Sequence, residues 1–512
     1  MNKLVLKYYP GIILFTACVL LSVFTLPHYG VSWDEPAQRL IGNMSYNYVF
    51  HNDTSLFTFA DKEYGTGFEL PLMILEKKAN ITDTRTLYKV RHIITHIFFL
   101  VSVLCGYVLA FRLFGSKSLA ILAFVMLAFA PRLYAHSFFN SKDIPFLSAI
   151  LISFAICQWA FSSQKKYVFL LLGISAGYFT SIRLLGIIPA GIMAVFMVID
   201  IATAYAKQRT WKNEAIHLLL FIIGFATCLY VAWPFLWPHP VQNLIHCFSN
   251  MTGKVFPPPK LLTEFMQLSV SAKLWLYLPV WFCITIPPVW LILGLTGVVW
   301  AVFTVAKAPK EYISNTNSRQ IALYFFSFSI PVILVMNAHS LSYDDWRHMY
   351  FIYPFFVFIA LFALNKLLHT KLKTLVTSLC ALQVAGIGWF MVNNHPFEQV
   401  YFNSLIKHKD NFLRNNFDLD YWGVSAYQAI QHLVTDIPNG EIKIHDPGFE
   451  VYVVNNIDFM PQQDRARIKT GSMEESDYFI TNHRFHTADY DYPIVYSRQV
   501  YGNTIICVYK LK

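Results

Sequence analysis

Charge is what this sequence has least of. Of its 512 residues only 14% are Asp, Glu, Lys or Arg, against roughly 25% in a soluble domain, while 55% are hydrophobic and 17% aromatic. That deficit excludes a water-soluble globular enzyme and a disordered chain. Cysteine is sparse as well, with 8 residues, no C-x-x-C pair, and most of them inside apolar runs (Cys18, Cys105, Cys157, Cys228, Cys380). A disulfide scaffold is excluded, and thiol redox or sulfur-ligated metal chemistry has no basis. There is no P-loop, no dinucleotide-binding Gly-rich turn, no H-E-x-x-H and no G-x-S-x-G, so nucleotide-driven pumping and the matching hydrolase chemistries lack support. Internal repeats and low-complexity segments are also missing.

What is present is apolar length. Mean hydropathy is +0.43, and about eleven runs approach the length that crosses a bilayer. They lie near residues 10–26, 92–113, 118–133, 144–161, 168–182, 184–200, 215–237, 280–305, 320–336, 348–364 and 374–392, with open splits around 168–200 and 275–305. The fold class is a polytopic α-helical membrane protein. The formal net charge of +10 belongs to short connections: Lys117, Lys165–Lys166, Lys207/Arg209/Lys212, Lys307/Lys310/Arg319 and Lys366/Lys371/Lys373 alternate to one face, as cytoplasmic loops do. The connections 134–143 and 337–346 on the other face hold Lys142 alone. This predicts the N-terminus inside, the C-terminus outside, and no nucleic-acid partner. The sequons at Asn43, Asn52, Asn80 and Asn250 fall on the outer side. Lys3 and Lys7 precede the first run and no small-residue cleavage site follows Leu26, so an uncleaved anchor is expected.

Composition shifts after residue 392. Residues 1–392 read as a transmembrane domain with a long outer first loop, 28–89. Residues 393–512 carry ordinary charge and read as a small extracytoplasmic α/β domain. It has a helix near Ser425–Val434, strands at Ile442–His445, Val451–Val454 and Tyr478–Thr481, and a hairpin of Ile494–Arg498 and Ile505–Tyr509 about Gly502-Asn503.

Three charged segments stand at the outer boundary. Trp33-Asp34-Glu35-Pro36 follows the first span; paired carboxylates there suit a divalent ion or a hydroxyl awaiting deprotonation, and the same string suits a helix start with Asp34 as cap. In 131–145, Arg132, His136, Asn140, Lys142 and Asp143 crowd between two apolar helices, with Asp143 again able to open one. Ser342-Tyr343-Asp344-Asp345-Trp346-Arg347-His348 enters the tenth span; Arg347 offers phosphate a bidentate fork, and equally reads as an interfacial arginine in an aromatic belt. Arg183 is a further boundary cation, functional by default or structurally paired. Glu63 and Glu69, around Tyr64-Gly65-Thr66-Gly67, read as a helix–turn–helix on the membrane surface, and 255–260 as a stiff loop.

In their order and side, these segments resemble the C superfamily of membrane glycosyltransferases (GT-C), of the protein O-mannosyltransferase and lipid A aminoarabinose transferase type. His395-Pro396-Phe397-Glu398-Gln399-Val400-Tyr401-Phe402-Asn403 and Asp420-Tyr421-Trp422-Gly423 extend the likeness to bacterial members that use a phospholipid carrier. The resemblance implies transfer, usually with inversion, of a sugar from a polyprenyl-phosphate carrier to a glycan, lipid or protein acceptor outside the cytoplasm, in a bacterial inner membrane. It implies Asp34 as the catalytic carboxylate with Glu35 beside it and Asp143 as the second outer acid. Arg347, with His348, Arg183 and Lys142, would meet the carrier phosphate, and His136, Asn140 and Tyr343 the substrate. A divalent cation, Mg or Mn, is compatible with the carboxylates and not required by them. Two other readings compete: a lipid or sugar transporter, which wants charges at the bilayer midplane, and a non-catalytic glycolipid-binding assembly partner.

Overall fold

The structure is a computed structural model and describes residues 5–253, 270–309, 311, 316–337, 343–448 and 450–512. The run 255–260, expected as a stiff loop, and Ser342 lie outside them.

Among the described residues nine helices are long and apolar enough to cross a membrane. In chain order the helices are α1 (Val5–Thr25), α2 (Glu35–His51), α3 (Glu69–Lys78), α4 (Thr84–Phe114), α5 (Lys117–Ala128), α6 (Pro131–Phe139), α7 (Asp143–Ser163), α8 (Lys166–Ile182), α9 (Ile187–Ala206), α10 (Lys212–Ala232), α11 (Pro240–Gly253), α12 (Val270–Thr285), α13 (Pro288–Lys307), α14 (Thr316–Asn337), α15 (Tyr353–Leu367) and α16 (Lys373–Asn394). Hydrocarbon offers the backbone no partner, so a chain this apolar satisfies its N–H and C=O groups within helices. The structure refines the expected spans. The run at 118–133 is a broken one, α5 and α6 meeting at 58°, because Pro131 supplies no amide hydrogen and its ring excludes a continuous turn. The run at 280–305 begins at Pro288, and Ile286-Pro287 divides it from α12. At 17 residues α8 is shorter than a full span. It lies flush on α10, where a Cβ on Gly173 would stand 2.1 Å from the Phe221 carbonyl oxygen and one on Gly224 2.4 Å from that of Leu170. Small residues permit such approach between membrane helices.

The long first loop is structured by α2 and α3, and here an expectation is corrected. Glu69 is buried, not on a surface helix–turn–helix. It pairs with Arg91 of α4 and accepts Ser141 Oγ at 2.6 Å. Arg91 also pairs with Glu76, which takes Arg39 Nε at 2.9 Å. This network ties α2, α3 and α4 together beside the start of α7.

Beyond α16 the chain forms a five-stranded sheet in the order β2-β1-β3-β5-β4: β1 Ile442–His445, β2 Ile468–Gly471, β3 Tyr478–Thr481, β4 Ile494–Val500 and β5 Asn503–Lys510. β1 runs parallel to β2 and β3, while β5 is antiparallel to β3 and to its hairpin partner β4. The strand expected at Val451–Val454 is instead the helix Val451–Asp458. Its β-branched residues favour a strand, but burial falls on Tyr452, Val453, Asn456 and Ile457, a helical face. Asn456 there accepts Val31 N and donates to Val31 O, both at 2.9 Å, fixing the segment that leads to Asp34.

Candidate active site

The charged segments meet in one cleft of about 180 Å³, lined by Trp33, Asp34, Tyr343, Asp344 and Arg347 together with Tyr421, Trp422, Arg484 and Phe485. Trp33 N donates to Trp422 O at 2.9 Å, joining its two walls.

Asp34 occupies the position before α2, yet its side chain makes no capping bond. The carboxylate is 35% exposed and stands 3.6 Å from Arg347 Nη1. Glu35 turns the other way. It is buried, accepts Ser32 N at 2.7 Å and meets His92 Nε2 at 2.8 Å, so the structure does not bring it to the cleft. Consecutive residues at a helix start point about 100° apart, which separates the two acids into one exposed and one structural.

Asp143 opens α7 and is buried. Its Oδ1 pairs with Arg183, which sits extended at the break between α8 and α9, and its Oδ2 accepts Asn140 Nδ2 at 3.0 Å and Arg347 Nη1 at 3.4 Å. Asn140 Oδ1 in turn accepts the amides of Lys142 and Asp143 at 3.2 and 2.8 Å, so Asn140 does the capping that Asp143 was expected to do. Arg347 is therefore ringed by Asp34, Asp143 and Asp344, the last at 3.3 Å, and its guanidinium lies 4.7 Å from the Trp422 ring. All three contacts are long for charge-assisted bonds, whose usual range is about 2.7–2.9 Å. The guanidinium is shared among three carboxylates rather than locked to one.

His136 and Asn140 are buried beneath the cleft. His136 Nδ1 meets Asn140 Nδ2 at 3.2 Å and its Nε2 meets Tyr421 OH at 3.3 Å; Tyr421 OH donates to Asp345 Oδ2 at 2.8 Å. That oxygen also accepts Tyr350 OH at 2.7 Å and Arg132 Nη1 at 3.0 Å. Burial pushes the Asp345 carboxyl up to about 6 against the pull of Arg132 and the two hydroxyls. A continuous polar chain thus runs from Asp143 to Asp345, below the reactive surface. Asp344 and Asp345 both adopt left-handed backbone, φ 55° and 59°, which is uncommon outside glycine and lets successive carboxylates face the cleft and its floor. Tyr343 lines the cleft, with its ring 5.2 Å from the Arg347 guanidinium and 5.0 Å from the His348 ring.

Lys142 Nζ stands 3.4 Å over the Tyr64 ring. Tyr64 is brought there by the glycines after it: Gly67 N donates to Ser181 O at 3.0 Å, and a Cβ on Gly65 would lie 2.2 Å from that oxygen. Burial, with Arg183 adding to it, lowers Lys142 to about 7. Three carboxylates (Asp34, Asp143, Asp344) then face three guanidiniums (Arg183, Arg347, Arg484), with Lys142 as the group whose charge is undecided near neutrality.

Sequence reasoning missed Arg484 and Phe485. Arg484 donates to Tyr421 O at 2.9 Å and to Asp344 Oδ1 at 2.6 Å; no local signal marks it, since its role comes entirely from tertiary contact. Tyr421 and Trp422 lay in a recognised segment without an assigned role. A resident divalent ion does not fit this donor set: the space between Asp34 and Asp143 is filled by Arg347 Nη1, and no group of three or more His, Cys, Asp or Glu among the described residues is arranged to hold a metal.

Residues 66–239 match the family model of dolichyl-phosphate-mannose-protein mannosyltransferases. Among solved structures it is similar to ArnT from Cupriavidus metallidurans bound to undecaprenyl phosphate, at 10% identity and TM-score 0.48 over 97% of each chain. It is also similar to the Archaeoglobus fulgidus oligosaccharyltransferase tethered with an acceptor peptide, at 11% identity and TM-score 0.46, covering 94% of this chain and 70% of that one. The same archaeal enzyme, AglB, in complex with an inhibitory peptide and a dolichol-phosphate gives a TM-score of 0.43 at 11% identity over 93% and 70%. No curated protein matches the chain.

Proposed function

We propose that this protein is a membrane glycosyltransferase that moves a sugar from a polyprenyl-phosphate carrier to an acceptor on the extracytoplasmic side, with inversion. The observation that carries the reading is Asp34: an uncapping, solvent-reached carboxylate beside a buried arginine, at a membrane-boundary cleft. In this account Asp34 takes the proton from the acceptor hydroxyl as the new glycosidic bond forms. The bond from the anomeric carbon to the phosphate oxygen breaks, and the electron pair leaves on the carrier phosphate. Arg347 and Lys142 receive that developing charge, the fixed-cation role an anionic leaving group needs, while Asp143 and Arg183 hold Arg347 in place. His136 and Asn140 act as positioning groups, and the buried Glu35 is structural. The donor is already activated, so no nucleotide enters.

The basic connections support a cleft on the extracytoplasmic face by the positive-inside rule, and the reading takes that membrane as a bacterial inner membrane with the residues after 392 forming a unit on the same side. Purified protein in lipid, offered a panel of polyprenyl-phosphate sugars, is expected to consume one of them and release the carrier phosphate. Consumption of none with acceptor extracts present contradicts the reading.

A further inference from the structure

A second cavity lies at the end of the helix bundle away from the cleft. It measures about 950 Å³, at the upper end of the usual range for small-molecule pockets, roughly 300–1,000 Å³. The direction of three helices fixes its position: α4 starts beside Arg91 and the site and reaches the cavity at Phe114; α15 follows Arg347 and reaches it at Leu364; α16 leaves it at Lys373 and returns to the cleft side at Asn394.

The cavity separates α5 from α16 over a floor made by the end of α15. Its walls are hydrocarbon, with Leu119, Leu122 and Val125 on one side and Ala381 and Val384 on the other. On its flank α16 exposes Leu375, Leu379 and Leu382, so the trough opens into the lipid phase. Its mouth is polar: Ser116, Ser118, Asn365, His369, Lys373 and Thr377. Lys371 adjoins this rim. The helices that line it carry charge of one sign, since neither 92–142 nor 348–397 contains a single Asp or Glu.

An apolar trough open to the bilayer, ending in hydroxyls, an imidazole and a lysine with no carboxylate among its described lining residues, matches one ligand chemistry: an acyl chain joined to an anionic headgroup. We infer that this groove is a binding site for an anionic glycerophospholipid of the leaflet opposite the cleft, its phosphate at Lys373, His369 and Ser118 and one acyl chain between α5 and α16. The lipid fills the gap between two helices that meet only through α15 beneath them, and so braces the bundle from the far side. This site is independent of the sugar-transfer reading and involves none of its residues.

The test is retention of lipid by full-length protein reconstituted into nanodiscs of phosphatidylcholine alone or with phosphatidylglycerol, then transferred to detergent and weighed intact by native mass spectrometry. Retained phosphatidylglycerol in preference to phosphatidylcholine is expected. Lys373→Gln should weaken retention about fivefold, the effect of one basic residue at a lipid surface, and Leu122→Trp, which fills the trough and leaves the rim charges alone, should abolish it. Lys373 is a helix-end residue, so its variant folds even if the tryptophan variant does not. Equal retention of both lipids, retention unchanged by Lys373→Gln, no retained lipid at all, or a cross-linked second copy of the chain seated in the groove would each overturn the inference.

Discussion

Arg347 Nη1 stands 3.6 Å from Asp34 Oδ2, the longest of the contacts around that arginine. Asp34 is also the one partly exposed carboxylate of the three that ring it, for Asp143 and Asp344 are buried. In the proposed reaction this pairing lets an anion reach the cation while a hydroxyl reaches the carboxylate.

The acids at 34 and 35 should separate experimentally. Glu35→Gln removes the charge that Ser32 N and His92 share, and is expected to cost about 1.5–3 kcal/mol, typical of a hydrogen bond to a charged buried group, read as a lower melting temperature in detergent. The folded fraction should keep its turnover. Turnover lost with stability intact would place Glu35 in the chemistry.

Arg347→Lys keeps a positive charge but loses the fork that spans several carboxylates. It should leave expression near normal and raise the donor KM sharply. Arg347→Ala removes a cation shared by three carboxylates, of which Asp143 keeps Arg183 and Asp344 keeps Arg484, and should cost less than the roughly 3–5 kcal/mol of breaking a lone buried ion pair. Unchanged donor affinity in the lysine variant would remove Arg347 from phosphate binding.

Lys142 carries a pH signature. Its folded value of about 7 lies below that of a free lysine, by burial first and then Arg183. Between those values the unfolded chain binds the proton and the folded one does not, so this residue's contribution to stability grows as pH rises across that window. Donor binding has the opposite sign. A carrier phosphate favours the ammonium, so binding takes up a proton above pH 7 and donor KM should rise from pH 7 to 9. Lys142→Arg, which stays charged, should flatten the profile; a profile of the same slope would contradict the role.

Chelation gives a further check. With Arg347 filling the space between Asp34 and Asp143, a chelator should leave donor consumption unchanged, measured on protein stripped of metal beforehand. Loss of activity restored by Mn or Mg would show that the guanidinium moves aside for an ion.

How much of this was legible in the sequence follows from what each signal depends on. The apolar runs could be located because the bilayer imposes length and composition locally, and the break at Pro131 was present in the residue itself. Asp34, Asp143 and Arg347 could be singled out because charge at the edge of an apolar run is conspicuous. Adjacency could not tell Asp34 from Glu35, because which acid faces the cleft depends on how α2 is rotated against His92. Asp345 and Arg484 find most of their partners far along the chain, at Arg132 and Tyr421 for the first and at Asp344 and Tyr421 for the second. Val451–Val454 misled for the same reason: strand propensity was overruled by the docking of Tyr452 and Asn456 beneath residues 31–33.

The central claim is that Asp34 is the base. Its most direct test is Asp34→Asn, purified in lipid and compared with the unaltered protein for consumption of the donor and, separately, for binding of the carrier phosphate. The account predicts a fall of about 10²–10⁴-fold in consumption, the usual worth of a positioned general base, with carrier binding and melting temperature retained. Consumption that survives the substitution would contradict it.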